Sequence, residues 1–122
     1  MNSSSGLCEV DGLFSTVLSE SIEEVLVNLL GEHVKQTIYE CLERQGLRIP
    51  QLPEYLPRFD AFLEDNFGRA GAVIERQIAR RLYTRLGLNL VVVPHYALTD
   101  YVDMAFRRLP RVERLLTTSR YP

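Results

Sequence analysis

The chain has 122 residues, enough for one domain with its own core, and its 46% hydrophobic and 25% charged residues are ordinary globular values that argue against wholesale disorder. No apolar run approaches the roughly 18 residues that a membrane helix needs. The start, MNSSSGLCEVDG, lacks the basic and apolar regions of a secretory signal, and two cysteines, Cys8 and Cys41, are too few for a disulfide framework or a structural zinc site. A cytoplasmic protein with two reduced thiols is the expectation.

The net charge of −2 conceals an asymmetry. Residues 1–65 hold four basic residues and twelve acidic ones, whereas residues 66–122 hold ten arginines and four acids, so the halves stand at −8 and +6. Three readings fit this split: an anionic partner such as nucleic acid for the basic half, internal pairing of the two halves, or head-to-tail association of two chains. Thirteen arginines against one lysine favour bidentate contacts, although a compositional bias of the genome explains the same ratio without function.

In chain order, residues 1–10 read as a flexible, serine-rich tail ahead of a single domain over 11–122. Asp11 can cap a helical turn carrying Leu13, Phe14, Val17 and Leu18, and Ser21-x-x-Glu24 fits a capping box. Ile22, Val25, Leu26, Leu29 and Leu30 then recur at helical spacing, so residues 12–30 form one helix or two. After Gly31, a helix over 32–45 places Val34, Ile38, Cys41, Leu42 and Gln45 on one face. Three prolines within LRIPQLPEYLP, residues 47–57, predict an ordered connector that dips Leu47, Ile49, Leu52 and Leu56 into the core.

The next two helices organise the chain. Residues 57–67 carry the stripe Phe59, Phe62, Leu63 and Phe67, with Asp60, Glu64 and Asp65 toward solvent. Gly68 turns the chain into a long arginine-rich helix closed by Gly87, and the two helices should form an αα-hairpin. At about 100° per residue, Ile74, Ile78, Leu82 and Leu86 fall on one side with Gly71 and Ala79. Arg69, Arg76 and Arg80 fall on the other, flanked by Val73 and Tyr83. LNLVVVP, residues 88–94, has strand composition but lacks a second strand to pair with, so it reads as a buried extended segment or as a strand shared with a second copy in a dimer. Thr99 is expected to cap a fifth helix over 100–109, and Pro110 to begin a short last one with Val112, Leu115 and Leu116. The fold class is all-α: a single compact bundle of five or six helices around the αα-hairpin, with one extended apolar segment.

Motifs that carry chemistry are missing from the sequence. His33 and His95 have no metal-ligand spacing to a second ligand, although His95, Asp100 and Asp103 cluster around one loop. There is no Gly-x-Ser-x-Gly elbow, and Gly68-x-x-Gly71 lacks the strand and lysine of a phosphate loop, reading instead as a hairpin turn and a small-residue contact. The most informative single residue is Glu75, whose position falls between Ile78, Leu82 and Leu86 on the core side. A carboxylate there needs a partner, either an arginine such as Arg48 or Arg58 or the backbone amides of a neighbouring helix. The alternative is a proton donor or acceptor in a pocket.

Residues 30–47, LGEHVKQTIYECLERQGL, and 67–88, FGRAGAVIERQIARRLYTRLGL, carry a Leu-Gly before a helix, a Tyr-x-x-Leu-Glu, a Phe-Gly turn and an Ile-Glu within the long helix. Over roughly residues 25–88 this resembles the Nitrososphaera-type output domains, small all-helical domains of archaeal signalling and regulatory proteins. The resemblance implies an interaction or output module without catalysis, and it transfers no functional residue.

The expected function is thus a small non-catalytic interaction or regulatory module that associates with itself or another protein. No cofactor, metal, membrane or small molecule is called for. The runner-up is a nucleic-acid-binding regulator that uses Arg69, Arg76 and Arg80. An enzyme or ligand-binder with Glu75 in a pocket is third.

Overall fold

The computed structural model describes the backbone of residues 4–109 and the side chains of residues 13–109. Five α-helices follow one another: α1 Ser4–Leu30, α2 Glu32–Arg44, α3 Leu56–Phe67, α4 Arg69–Leu86 and α5 Leu98–Arg108. A 3-10 segment, Ile49–Tyr55, joins α2 to α3, and there is no strand among the described residues. The all-α bundle is therefore as expected, but several details differ. The helix expected after Pro110 lies outside the described residues.

Helix α1 is one continuous element, so residues 4–10, expected as a tail, continue the helix. Extending a helix costs little once it is nucleated, and no proline interrupts this stretch. Continuity also removes the expected capping box. Ser21 is mid-helix and fully buried, its hydroxyl donating to the Val17 carbonyl at 2.8 Å. Glu24 is left free to reach another helix.

Helix α4, about 27 Å long at 1.5 Å per residue, packs against α1, α3 and α5 and is the centre of the bundle. Its Ile74, Ile78, Ala79 and Leu82 meet Leu18, Ile22 and Leu26 of α1 and Phe59 and Leu63 of α3 in one core. That core also takes Ile38 and Leu42 of α2 and Leu98 and Ala105 of α5. Leu47, Leu52 and Leu56 are buried as the connector pattern predicts, but Pro50 and Pro53 sit in 3-10 geometry rather than irregular chain, and Pro57 lies in the first turn of α3. Gln45, placed on the apolar face of α2 by its spacing, is exposed because the helix ends at Arg44.

Gly68 makes the α3–α4 turn with φ 56° and ψ −128°, a backbone conformation open essentially to glycine alone. One turn further, Gly71 lies against α3 so closely that a β-carbon would stand 2.7 Å from the Leu63 carbonyl oxygen. The hairpin is set by these two glycines.

Residues 88–93 form neither a strand nor a fully buried run. Leu88, Leu90 and Val93 are half-buried, whereas Asn89, Val91 and Val92 face outward, with Val91 70% exposed. The chain is extended with one face on the bundle, so alternate residues reach solvent. Tyr101 fixes its end: the Val93 N–H donates to the Tyr101 hydroxyl at 3.0 Å, and that hydroxyl donates to the Val93 carbonyl at 3.2 Å. Tyr83, assigned by spacing to the flank of the arginine face, is instead 2% exposed, and its hydroxyl donates to the Tyr101 carbonyl at 2.8 Å. Helix α5 covers that flank of α4, which its sequence alone does not reveal.

Candidate functional site: the outward face of α4

The charge asymmetry is met in part inside the chain. Arg85 Nη1 donates to Glu20 Oε1 at 2.9 Å, and Arg85 Nη2 to Glu24 Oε1 at 2.6 Å. Arg81 Nε adds a 3.5 Å contact to the same Glu24 oxygen. The Arg85 hydrogen bond, followed by the nearby Arg81 and Arg85 charges, outweighs desolvation and holds the Glu24 carboxyl below its usual range. Internal pairing of the acidic and basic halves thus accounts for two of the five arginines of α4.

The other three, Arg69, Arg76 and Arg80, form no hydrogen bond or ion pair among the described residues. They follow one another along the outward side of α4, with Val73, 49% exposed, set between Arg69 and Arg76. Beside them α1 and α4 leave a shallow groove of about 410 Å³, lined by Val25, Asn28, Leu29, Gln77, Arg80, Arg81 and Thr84. Leu29 at its edge is 49% exposed. The surface therefore combines fixed cations on a rigid helix with two apolar anchors.

Glu75 is buried, 4% exposed, as its place in the stripe Gly71, Ile74, Ile78 and Leu82 predicts. Its partner is not an arginine. Glu75 Oε1 accepts the Leu98 backbone N–H at 3.0 Å, while Arg58 donates to the Gln45 carbonyl at 2.9 Å. Arg48 is exposed and appears in no ion pair among the described residues. Arg58 points back toward the end of α2 because it sits in the first turn of α3, away from the α4–α5 contact; the backbone-amide alternative is the one realised.

Asp60, placed toward solvent by its spacing, is only 9% exposed. Its Oδ2 accepts both the Thr99 N–H, at 3.2 Å, and the Thr99 hydroxyl, so Thr99 is bonded across to α3 rather than capping its own helix. Helix α5 begins one residue before Thr99, at Leu98, and Asp100 reaches back to accept the Ala97 N–H at 2.9 Å. A readable signal for Asp60 exists: it lies in the helical series Leu56, Asp60, Leu63 and Phe67, a polar residue inside an apolar stripe. Lys35 is similar, standing in register with Ile38 and Leu42. It is 6% exposed and bridges Glu32 at 2.9 Å and Glu23 at 3.3 Å.

The loop carboxylates near His95 are taken up locally, Asp100 by the Ala97 amide and Asp103 by Arg107 at 3.0 Å. Among the described residues no three His, Cys, Asp or Glu side chains converge as a metal site would require. Cys41 is a half-buried free thiol. No helix among the described residues is long and apolar enough to cross a membrane. Comparisons of the chain with protein-family models, curated proteins and solved structures return no match.

Proposed function

We propose that this chain is a small non-catalytic interaction module that recognises a protein surface, its own copy included, through the outward face of α4. The observation that carries this reading is the division of the α4 arginines. Arg81 and Arg85 are spent on α1, while Arg69, Arg76 and Arg80 stay unengaged around exposed Val73 and next to Leu29. Apolar anchors flanked by arginine are the composition that dominates protein-binding hot spots, and arginine forks carboxylates with two parallel hydrogen bonds. Self-association has a matching surface, since α2 exposes Glu40 and Glu43. Such a contact is head-to-tail, so it closes into a ring or extends with concentration.

The nucleic-acid reading uses the same arginines and is separable by salt. Three phosphate contacts give a slope of roughly −3 in log affinity against log salt. Glu20, Glu23 and Glu24 of α1 gather around Arg85, further along α4, and add acidic surface that a phosphate backbone would avoid. We expect negligible binding of a random-sequence duplex near 150 mM salt by fluorescence anisotropy. Sedimentation equilibrium should show concentration-dependent, salt-weakened association that Arg76→Ala with Arg80→Ala reduces. Tight duplex binding at that salt, lost in the double variant, would overturn the protein-interaction reading.

A further inference from the structure

Two carboxylates from different helices meet the first turn of a third. Asp60 of α3 and Glu75 of α4 are both buried, and they accept adjacent backbone amides of α5, Thr99 and Leu98. Consecutive amides in a helical first turn stand about 3 Å apart, so their two acceptors are neighbours. The helix N-terminus welcomes negative charge, but of the order of half a unit rather than two full charges. One atom of the pair is also left over: Asp60 Oδ1 is buried and has no hydrogen-bond partner. A buried carboxylate oxygen without a donor is costly.

We propose that Asp60 and Glu75 form a one-proton site in which the protonated carboxyl of one serves the orphaned oxygen of the other, and that loss of this proton loosens the first turn of α5 from α3 and α4. Two like charges side by side in a desolvated place cannot both ionise at ordinary cost, so the pair keeps one proton.

The surroundings act in the same direction. Burial, and then the Asp60 charge, push the Glu75 carboxyl up to about 7, against the pull of the Leu98 amide, and Glu64 and Asp100 add to the rise. Burial raises Asp60 as well, opposed by its Thr99 and Leu98 hydrogen bonds. The charges that act on the pair are Glu64 on α3 and Asp100 on α5, and Glu54 of the 3-10 segment and Asp103 of α5, the latter paired with Arg107, line the cleft beside Thr99. On the α1 side the acids Glu20 and Glu24 are taken by Arg81 and Arg85, further along α4.

The folded chain holds the Glu75 proton up to about pH 7, whereas the unfolded chain releases it near 4.5. Stability from this group is therefore greatest in acid and falls as pH rises through that window, then levels. The unfolding constant of the full chain should increase roughly 50- to 100-fold between about pH 5 and pH 8.

Denaturant titrations at a series of pH values measure this. Glu75→Gln, whose amide can donate to Asp60 while its carbonyl still accepts from Leu98, should abolish the increase. A flat or falling wild-type unfolding constant, or an increase that survives undiminished in E75Q, would overturn the proposal. Should E75Q not fold, the Glu75 carboxyl carbon followed by NMR decides, with a midpoint near 7 in support and one near 4.5 against. Asp60→Asn should lower that midpoint, and an unchanged midpoint would refute the sharing of the proton. Protection of the Leu98 amide against hydrogen exchange should drop at least tenfold across the transition; constant protection would refute the loosening of α5.

Discussion

Adding one methyl group at Gly71 tests the α3–α4 hairpin most sharply, because two effects of known size oppose each other there. Replacing a glycine by alanine favours a helix by about 1 kcal/mol in its interior and by less in the first turn, where Gly71 is the third residue of α4. Against this, the new β-carbon would lie 2.7 Å from the Leu63 carbonyl oxygen and 2.9 Å from its carbon, where ordinary contact begins at 3.4 Å. The obstacle is backbone, so no side chain can rotate away, and α3 must withdraw by about 0.7 Å. A radial gap of that size forfeits about a quarter to a half of each dispersion contact between Phe59, Leu63, Ile74 and Ile78. Overpacking of this kind costs about 1–3 kcal/mol or somewhat more. The expected net result for Gly71→Ala is a loss of about 1–2 kcal/mol in urea denaturation with an unchanged m-value. Ala72→Gly, at an exposed position beside it, reports the propensity effect alone and should cost about 1 kcal/mol. A Gly71→Ala chain that is more stable than wild type would show that the helices are not held apart by a bare backbone contact, and the hairpin argument would fail.

Tyr83→Phe removes the second hydrogen bond to the Tyr101 carbonyl, which keeps its donor within α5, so it should lower stability by about 0.5–1.5 kcal/mol, and an unchanged melting curve would show that this bond adds nothing to stability. Val92→Pro should leave both the fold and the sedimentation mass unchanged, because Val92 is 44% exposed and the self-association proposed above uses α4. A drop to monomer in that variant would instead identify residues 88–93 as a strand shared between copies.

Much of the fold was legible because its helices are amphipathic and its breaks are glycines or prolines. The spacing of Ile74, Ile78 and Leu82 locates the core face of α4, and the same spacing exposes Glu75 as an intruder on it. What a helical wheel does not contain is the identity of the neighbour. Asp60 looks solvent-facing if Phe59 and Phe62 define the stripe, and becomes buried only because α5 lands its first turn there. Tyr83 is misassigned for the same reason, and Glu75 finds an amide instead of an arginine. Periodicity reads one helix at a time, whereas these three contacts belong to a junction of three. The α4 arginines illustrate the converse: their number is visible in the sequence, but which of them are engaged depends on where Glu20 and Glu24 of α1 arrive.

The ion pairs between α1 and α4 also bear on how the chain is made. Glu24 and its partner Arg85 are 61 positions apart. Translation at about 5–20 residues per second puts roughly 3–12 s between the appearance of the two. During that interval Glu20 and Glu24 lack their arginine partners, and Leu18, Ile22 and Leu26 lack the α4 surface that finally covers them. The α3–α4 hairpin, by contrast, closes through neighbours in sequence as soon as it emerges. Helix α1 can settle early against α2, its neighbour in sequence, but it completes its contacts only once α4 is made, and in the interval its negative charge discourages association with other nascent chains.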